Sequence, residues 1–282
     1  MSSVREPLTP EELDEWRRYI GRAVTREQVL DVESLRRYAV AVGSAREVEQ
    51  WWPPIAHWAY FAEIVEQQQL GPDGHSRRGV GIIPPIRLRS RMFAASSIRY
   101  AEPLELNQLA RLTTTVVDLK HKVGSSGELV FVELQRTLTQ YGRDRVSEQQ
   151  TIVYLEANDS SKHVVSRAFT TERDTEVWEP NAVEVFRFSA ATFNAHRIHY
   201  DLPYAQGEEG YASLVVQGPL TAAKLHAFAQ RRSSKPMAQF AFRIKAPLFI
   251  NQVVRLQQNP HDHTFEAVRC DGTVAVSARA IF

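Results

Sequence analysis

"PLELNQLARL" (residues 103–112) returns as "PLFINQVVRL" (residues 247–256). Both copies read P-L-x-x-N-Q-x-x-R-L, 144 residues apart and without a gap. Six identities in ten positions, with apolar residues matched between them, point to an internal duplication more strongly than to shared turn chemistry. The flanks agree. Downstream of the first copy run "RLTTTVVDL", "GELVFVELQRTLTQY" and "EQQTIVYLEA"; downstream of the second run "RLQQN", "TFEAVRC" and "GTVAVSARAIF". These β-branched and aromatic alternations, bounded by Gly, Asn, Asp and Pro, are the pattern of antiparallel strands. "SSG" (125–127) and "CDG" (270–272) fit hairpin turns.

A helical candidate precedes each copy. "DVESLRRYAVAVGSA" (31–45) opens on a capping residue, Asp31, and spaces Val32, Leu35, Tyr38, Ala39 and Val42 for one helix face. "VEVFRFSAATFNA" (183–195) reads as a strand in its first part and a helix in its second. Aligning the two segments matches Arg37 with Arg187 and Tyr38 with Phe188. A sheet with one apolar face needs a helix to cover it. The expectation is therefore an α+β chain of two similar halves, each an antiparallel sheet around one central helix. The polar and charged stretch 158–182 is expected to link a first unit, 1–157, to a second, 183–282. Residues 66–90 are irregular, with Gly and Pro too close for a regular element. The arginines at 77, 78, 87, 89 and 91 there face either solvent or a phosphate.

Composition narrows the function. The chain has 282 residues, enough for a full core. Its 34 basic and 33 acidic residues leave a net charge of +1, which argues against a general nucleic-acid binder. No apolar run approaches a membrane span, and the N-terminus has neither a signal-peptide core nor the basic character of a transit peptide. One cysteine, Cys270, excludes an internal disulfide. A cytoplasmic protein is expected.

The densest chemistry lies in "FNAHRIHYD" (193–201). A metal site is not expected from His196, His199 and Asp201: the histidines are three apart, no general-base Glu stands between them, and Arg197 adds positive charge. Residues that simply end a helix, or an imidazole acting as acid and base near neutral pH, remain open. "LVVQGPLTAAKLHAFAQ" (214–230) favours chemistry. Its helix would open at Gly218-Pro219, where free N–H groups suit an oxygen gaining negative charge.

"FSAATFNAHRIHYDLPYA" with "VVQGPLTAAKL" resembles the C-terminal half of MaoC-like hotdog hydratases, within the double-hotdog group of itaconyl-CoA, mesaconyl-C4-CoA and 3-hydroxyacyl-thioester hydro-lyases. "RMFAASSIRYAEPLELNQ" and "EQQTIVYLEA" resemble that group's first hotdog, so the likeness spans nearly the whole chain. The resemblance implies two tandem hotdog domains, at least a homodimer, an acyl-CoA substrate and no cofactor. It places His199 on the family's catalytic histidine. Asn194 stands where the wider family has aspartate, and an amide cannot accept a proton; Asn194 would instead hold a water through its side-chain oxygen. Gly218 matches the oxyanion-hole turn, and Gln217 stands where many relatives have His. The first half's counterparts of Asn194 and His199 are Ser44 and Glu49, so that half is expected to lack catalytic residues. Arg197 or His196 would meet a free carboxylate, and Arg243, Lys245 and the 87–91 arginines the CoA phosphates. The implied reaction is reversible hydration of an enoyl-CoA of the itaconyl or mesaconyl-C4 type to citramalyl-CoA. A 3-hydroxyacyl-thioester dehydratase, a thioesterase and a non-catalytic acyl-CoA binder are the alternatives.

Overall fold

Asn107 and Asn251, the matched asparagines of the repeat, both take the left-handed backbone conformation, with φ of 59° and 58°. Asparagine tolerates that region better than most residues. The Asn107 N–H donates to the Leu30 carbonyl (2.9 Å) and the Asn251 N–H to that of Pro180 (2.7 Å). Each acceptor immediately precedes a helix-capping residue, Asp31 or Asn181. The repeat is thus one turn made twice, pinning the start of a helix to the start of a strand.

The computed structural model describes residues 7–44, 48, 52, 55–124, 127–156 and 174–282. The first half contains α1 (Pro10–Arg17), β1 (Ala23–Val29), α2 (Val32–Ala41), β2 (Ser90–Tyr100), β3 (Leu109–Gly124), β4 (Gly127–Gln140) and β5 (Arg143–Leu155). The second contains β6 (Glu176–Trp178), α3 (Ala182–Thr192), α4 (Leu202–Gly207), α5 (Gly218–Gln230), β7 (Gln239–Ile244), β8 (Val254–Gln258), β9 (Phe265–Arg269) and β10 (Val274–Ile281). All ten strands join in one sheet, ordered β1-β3-β4-β5-β2-β7-β10-β9-β8-β6. Read inward from either end, the order is the same, and every pairing is antiparallel.

The halves join where β2 pairs with β7. There Ser97 opposes Ala241, its own counterpart 144 residues on. A pseudo-two-fold axis therefore passes through that pair. On the helical side, the matched residues Tyr38 of α2 and Phe188 of α3 meet with ring centroids 6.1 Å apart. Both rings are buried and belong to one apolar cluster drawn from both halves. This is the double-hotdog, α+β architecture that the repeat and the resemblance imply.

Three expectations need correction. Residues 183–195 do not begin as a strand: Asn181 caps Glu184 (3.0 Å), and α3 runs to Thr192 before Phe193 closes it in the left-handed region. The alternation "VEVF" is a half-exposed helix, with Val183 and Phe186 outside and Val185 and Phe188 inside. The buried central helix of the second half is α5, not α3. Leu220, Ala222, Ala223, Leu225, Phe228 and Ala229 surround its axis with apolar side chains, as a fully enclosed helix requires. Finally, 158–182 is not all linker, because Glu176–Trp178 pairs with β8 as an edge strand; residues 157–173 lie outside the described residues, as does Glu49. So do Ser125 and Ser126 of the "SSG" turn, although Gly124 pairs with Gly127 across it. The "CDG" turn is present, with Gly272 at φ 86°.

Candidate active site

The second copy of the repeat forms one wall of a cavity. Val216 N–H donates to the Leu248 carbonyl (2.8 Å), and Ile250 N–H to that of Leu214 (3.1 Å). Residues 214–217 are thereby laid out between the repeat and the "HRIH" turn, where Val215 N–H reaches the Ile198 carbonyl (3.0 Å). The cavity in front of them measures about 1030 Å³. Its lining includes His75, Arg91, Asn194, His196, His199 and Gly218.

His199 sits in a single 3-10 turn, Arg197–His199, and is buried. Its Nδ1 lies 2.7 Å from the Val215 carbonyl oxygen. A carbonyl can only accept, so Nδ1 carries the proton and Nε2 keeps a bare lone pair. Burial pushes the imidazole down to about 4; the bond to Val215 opposes this and nearby His75 adds to it. At neutral pH His199 is a neutral base of fixed tautomer. His196 is edge-on to it, with ring centroids 5.4 Å apart. Burial, then the neighbouring imidazoles and Arg91, hold His196 far below the ordinary histidine range.

Asn194 also has a backbone task, which leaves its second lone pair as the one a water would use. Its Oδ1 accepts the His196 N–H at 3.0 Å, closing the turn after α3. Its own N–H caps Ser189 (2.8 Å), as that of Ser44 caps Ala39 (2.8 Å) in the first half. The oxygen assigned to a water thus already carries a backbone bond. Gln217 is a clamp: its Nε2 donates to the Val185 carbonyl (2.9 Å) and Ser189 Oγ (2.8 Å), fixing α3 to the entry of α5. Its Oε1 remains a buried acceptor without a partner among the described residues.

Arg197 is not a free carboxylate receptor. Its Nε and Nη2 grip Asp201 Oδ2 (3.0 and 2.7 Å), Nη1 donates to the Pro72 carbonyl (2.9 Å), and the guanidinium covers the Tyr204 ring. It lines a separate arginine-containing groove and not the cavity of His199. The unpaired guanidinium of the cavity is Arg91, which has no hydrogen-bond or ion-pair partner among the described residues. Lys245 is exposed at the same cavity, whereas Arg243 is exposed on β7 and does not line it. Of the other arginines at 87–91, Arg87 pairs with Glu12 (2.6 Å) and Arg89 is bonded to the Glu208 carbonyl.

Gly218 begins α5, where the first N–H groups have no acceptor within the helix. A Cβ there would lie 2.0 Å from Ile244 Cδ1. A side chain at this position would require Ile244 to move away from the helix start.

The sequence reading missed one pair entirely. Asp73 and His75 belong to the irregular segment of the first half, yet both line the cavity beside His196 and His199. Asp73 Oδ2 lies 3.1 Å from His75 Nδ1, and Oδ1 accepts the His75 N–H at 3.0 Å. The His75 and His196 rings are 4.0 Å apart between centroids. Donor atoms of Asp73, His75 and His196 fall within 4.8 Å of one another. The bonds that Asp73 makes in this group are both to His75, a hydrogen-bonded Asp–His pair beside the imidazole of His196. The sequence signal was present: "GPDGHS" puts an acid and an imidazole two apart in a long irregular segment, where functional groups concentrate.

Comparison with known proteins gives the family and the fold. Residues 55–250 match the family model described as hydroxyacyl-thioester dehydratase type 2. The mesaconyl-C(4)-CoA hydratase of Chloroflexus aurantiacus is 40% identical over 94% of this chain and 96% of its own. The mitochondrial hydroxyacyl-thioester dehydratase type 2 of Schizosaccharomyces pombe is 33% identical over 72% of this chain and 76% of its own. Among solved structures, HtdX of Mycobacterium tuberculosis has a TM-score of 0.67 at 16% identity, covering 91% of this chain and 98% of that one. A second M. tuberculosis protein described as having a double hotdog fold has a TM-score of 0.52 at 12% identity, over 93% of this chain and 95% of its own. At such identities these two structures speak for the fold. A relative 40% identical along nearly the full length, and a family model over most of the chain, place this protein in the hydroxyacyl-thioester dehydratase type 2 family of MaoC-like hotdog hydro-lyases.

Proposed function

We propose that the chain hydrates a short branched enoyl-CoA that carries a free carboxylate, of the mesaconyl-C4-CoA type, to citramalyl-CoA. The observation that carries this is His199: a buried imidazole whose tautomer is fixed by Val215 and whose bare Nε2 belongs to a residue lining the cavity. In the proposed reaction His199 Nε2 accepts a hydrogen bond from water and directs the water oxygen to the β-carbon. Electrons of the double bond shift towards the thioester, whose oxygen is met by the N–H groups opening α5 at Gly218. One such contact is worth about 3–4 kcal/mol in enzymes where it has been removed.

The substrate class rests on Arg91. In mesaconyl-C4-CoA the free carboxylate is attached to the β-carbon itself, so its partner must lie beside the imidazoles. Arg91 lines the cavity next to His75 and His196, both of which feel its charge. A guanidinium suits a carboxylate in a partly enclosed site. Lys245, exposed at the cavity, is the cation we assign to the CoA phosphates. The same machinery run backwards dehydrates a 3-hydroxyacyl thioester, the activity by which the matched family is named; Arg91 favours the dicarboxylyl substrate over an unbranched chain. A homodimer is the assembly the resemblance implies, which sedimentation of the purified chain would establish.

The test is hydration of mesaconyl-C4-CoA, followed by loss of enoyl-thioester absorbance, in wild type and His199→Ala. A fall in kcat of about 100-fold or more is expected. An unchanged rate removes His199 from the reaction, and free CoA released without a hydrated product makes the chain a thioesterase.

A further inference from the structure

Asn194 leaves a question of chemistry. An amide cannot take the proton that water gives up. His199 can, but behind its ring stands only the neutral Val215 carbonyl, and burial opposes its charged form. Of the three imidazoles gathered at the cavity, His75 is the one with a hydrogen-bonded carboxylate behind it, Asp73. An ionised carboxylate on Nδ1 fixes the tautomer and stabilises the imidazolium once Nε2 is protonated.

The pair is also held in place as part of this site. Asp73 carbonyl accepts the Arg197 N–H at 2.9 Å, and Pro72 carbonyl accepts Arg197 Nη1 at 2.9 Å. Gly74, between the two residues, has φ of 87° and lies against the Ala195 carbonyl. The loop is therefore bonded to the turn that carries His196 and His199, although it comes from the other half of the chain. About a quarter of each side chain remains open (27% for both), so the pair is accessible as well as fixed.

We infer that Asp73–His75 is the acid–base pair of the reaction, and that the proton lost by water goes to His75 Nε2. This rests on the hydratase reading above. In the hydration direction, the water O–H bond breaks towards His75 as the oxygen bonds to the β-carbon. The double-bond electrons move into the enolate of the thioester. The His75 imidazolium, paired with ionised Asp73, then gives the same proton to the α-carbon and returns to neutrality. His199 orients the water through Nε2 and need not carry the charge. Each half of the duplication thereby supplies part of one active site.

The charged and titratable groups facing His75 are Asp73 and Arg78 of its own segment, Arg91 from β2, and His196 and His199 from the turn after α3. Tyr204 and Glu209 approach Asp73 from α4 and the turn beyond it. Burial is the largest effect on Asp73 and would raise it, but the hydrogen bonds and charge of His75 prevail and hold it at about 2. Asp73 is thus ionised throughout the working range. His75 is lowered, chiefly by burial, and needs to be neutral to accept a proton.

The experiment measures kcat and the acid limb of kcat/KM for wild type, His75→Gln and Asp73→Asn, over a panel of mesaconyl-C4-CoA and crotonyl-CoA. Both variants are expected to lose kcat by about 100-fold or more, with KM within a few-fold of wild type. Asp73→Asn keeps the shape but removes the charge and turns one of the two accepting oxygens into a donor, so it is expected to move the acid limb to lower pH; a merely structural residue would not. Should His75→Gln fail to fold, the limb of Asp73→Asn carries the test alone. Activity is expected to survive EDTA; loss of activity restored by added zinc would make the cluster a metal site and overturn the inference. Full activity in both variants, or a limb near pH 4 that ignores Asp73→Asn, overturns it too and puts the proton on His199. A wild type inactive on the whole panel refutes the hydratase reading instead, and one active only on crotonyl-CoA refutes the dicarboxylyl substrate while leaving the pair testable.

Discussion

Gly74 and Ala195 come from different halves of the chain, yet a Cβ on Gly74 would lie 1.9 Å from the Ala195 carbonyl oxygen. No side chain fits there without moving one loop off the other, and the positive φ adds strain for any L-residue. Gly74→Ala is expected to separate the Asp73–His75 loop from the His199 turn. Activity should fall by 10-fold or more while the sheet, which the loop does not touch through this contact, keeps its far-UV circular dichroism. A fully active variant would show that the contact is incidental.

Arg91 and Arg197 make opposite predictions. Arg91→Met removes the cavity guanidinium that has no partner among the described residues and should raise KM for mesaconyl-C4-CoA by about 10- to 100-fold, the range of a lost charged hydrogen bond, with little effect on crotonyl-CoA. Arg197→Met breaks the bonds to Asp201 and Pro72. It should affect both substrates alike, because it loosens the turn and does not touch a carboxylate. Steady-state kinetics on the two substrates distinguish them.

Gly218 packs directly against the side chain of Ile244. Gly218→Ala should depress kcat by displacing the opening turn of α5 from the thioester oxygen. Because the nearest obstructing atom is Ile244 Cδ1, the double variant Gly218→Ala/Ile244→Val should recover part of the loss. No recovery would mean that the loss does not come from this contact.

Stability should fall in mild acid. Burial pushes His199 down to about 4 and His226 to about 3, each from an unfolded value near 6.5. Between the folded and unfolded values the unfolded chain binds more protons, so acid favours unfolding. The folded state keeps its full advantage above about pH 6.5 and loses it progressively as the pH falls towards 4. For His199 alone the shift corresponds to roughly 3 kcal/mol across that interval. Thermal melts at pH 7.5 and 5.0 should show a clear drop in Tm. His226→Phe should flatten the dependence, since His226 sits on Phe240 of the apolar cluster and its Nδ1 has no partner among the described residues.

The duplication was legible because its key residues act locally. Asn107 and Asn251 make the same turn by the same backbone bond, so the same letters recur. The central helix of the second half was sought in 183–195 because that segment aligns with 31–45 ahead of the repeat; the helix opening at Gly218-Pro219 was legible, but its central place follows from the apolar residues nearly all round it. His199 and Gly218 lie in dense motifs, and both reached the cavity. Arg197 looked like a substrate group only by proximity in sequence; its i,i+4 partner Asp201 was there to be read. Asp73 and His75 escaped because their meeting with His196 depends on a contact across 120 residues that no local pattern encodes.

The Ser97–Ala241 join has an evolutionary consequence. When two identical subunits pair across an axis, every substitution appears twice, and a loop cannot be reshaped for one pocket without reshaping it for the other. Joining both copies in one polypeptide lifts that restriction. One copy becomes free to drift from its ancestral motif and to be recruited as an accessory to its neighbour, which is the division of labour seen between the "DGH" loop and the "HRIH" turn.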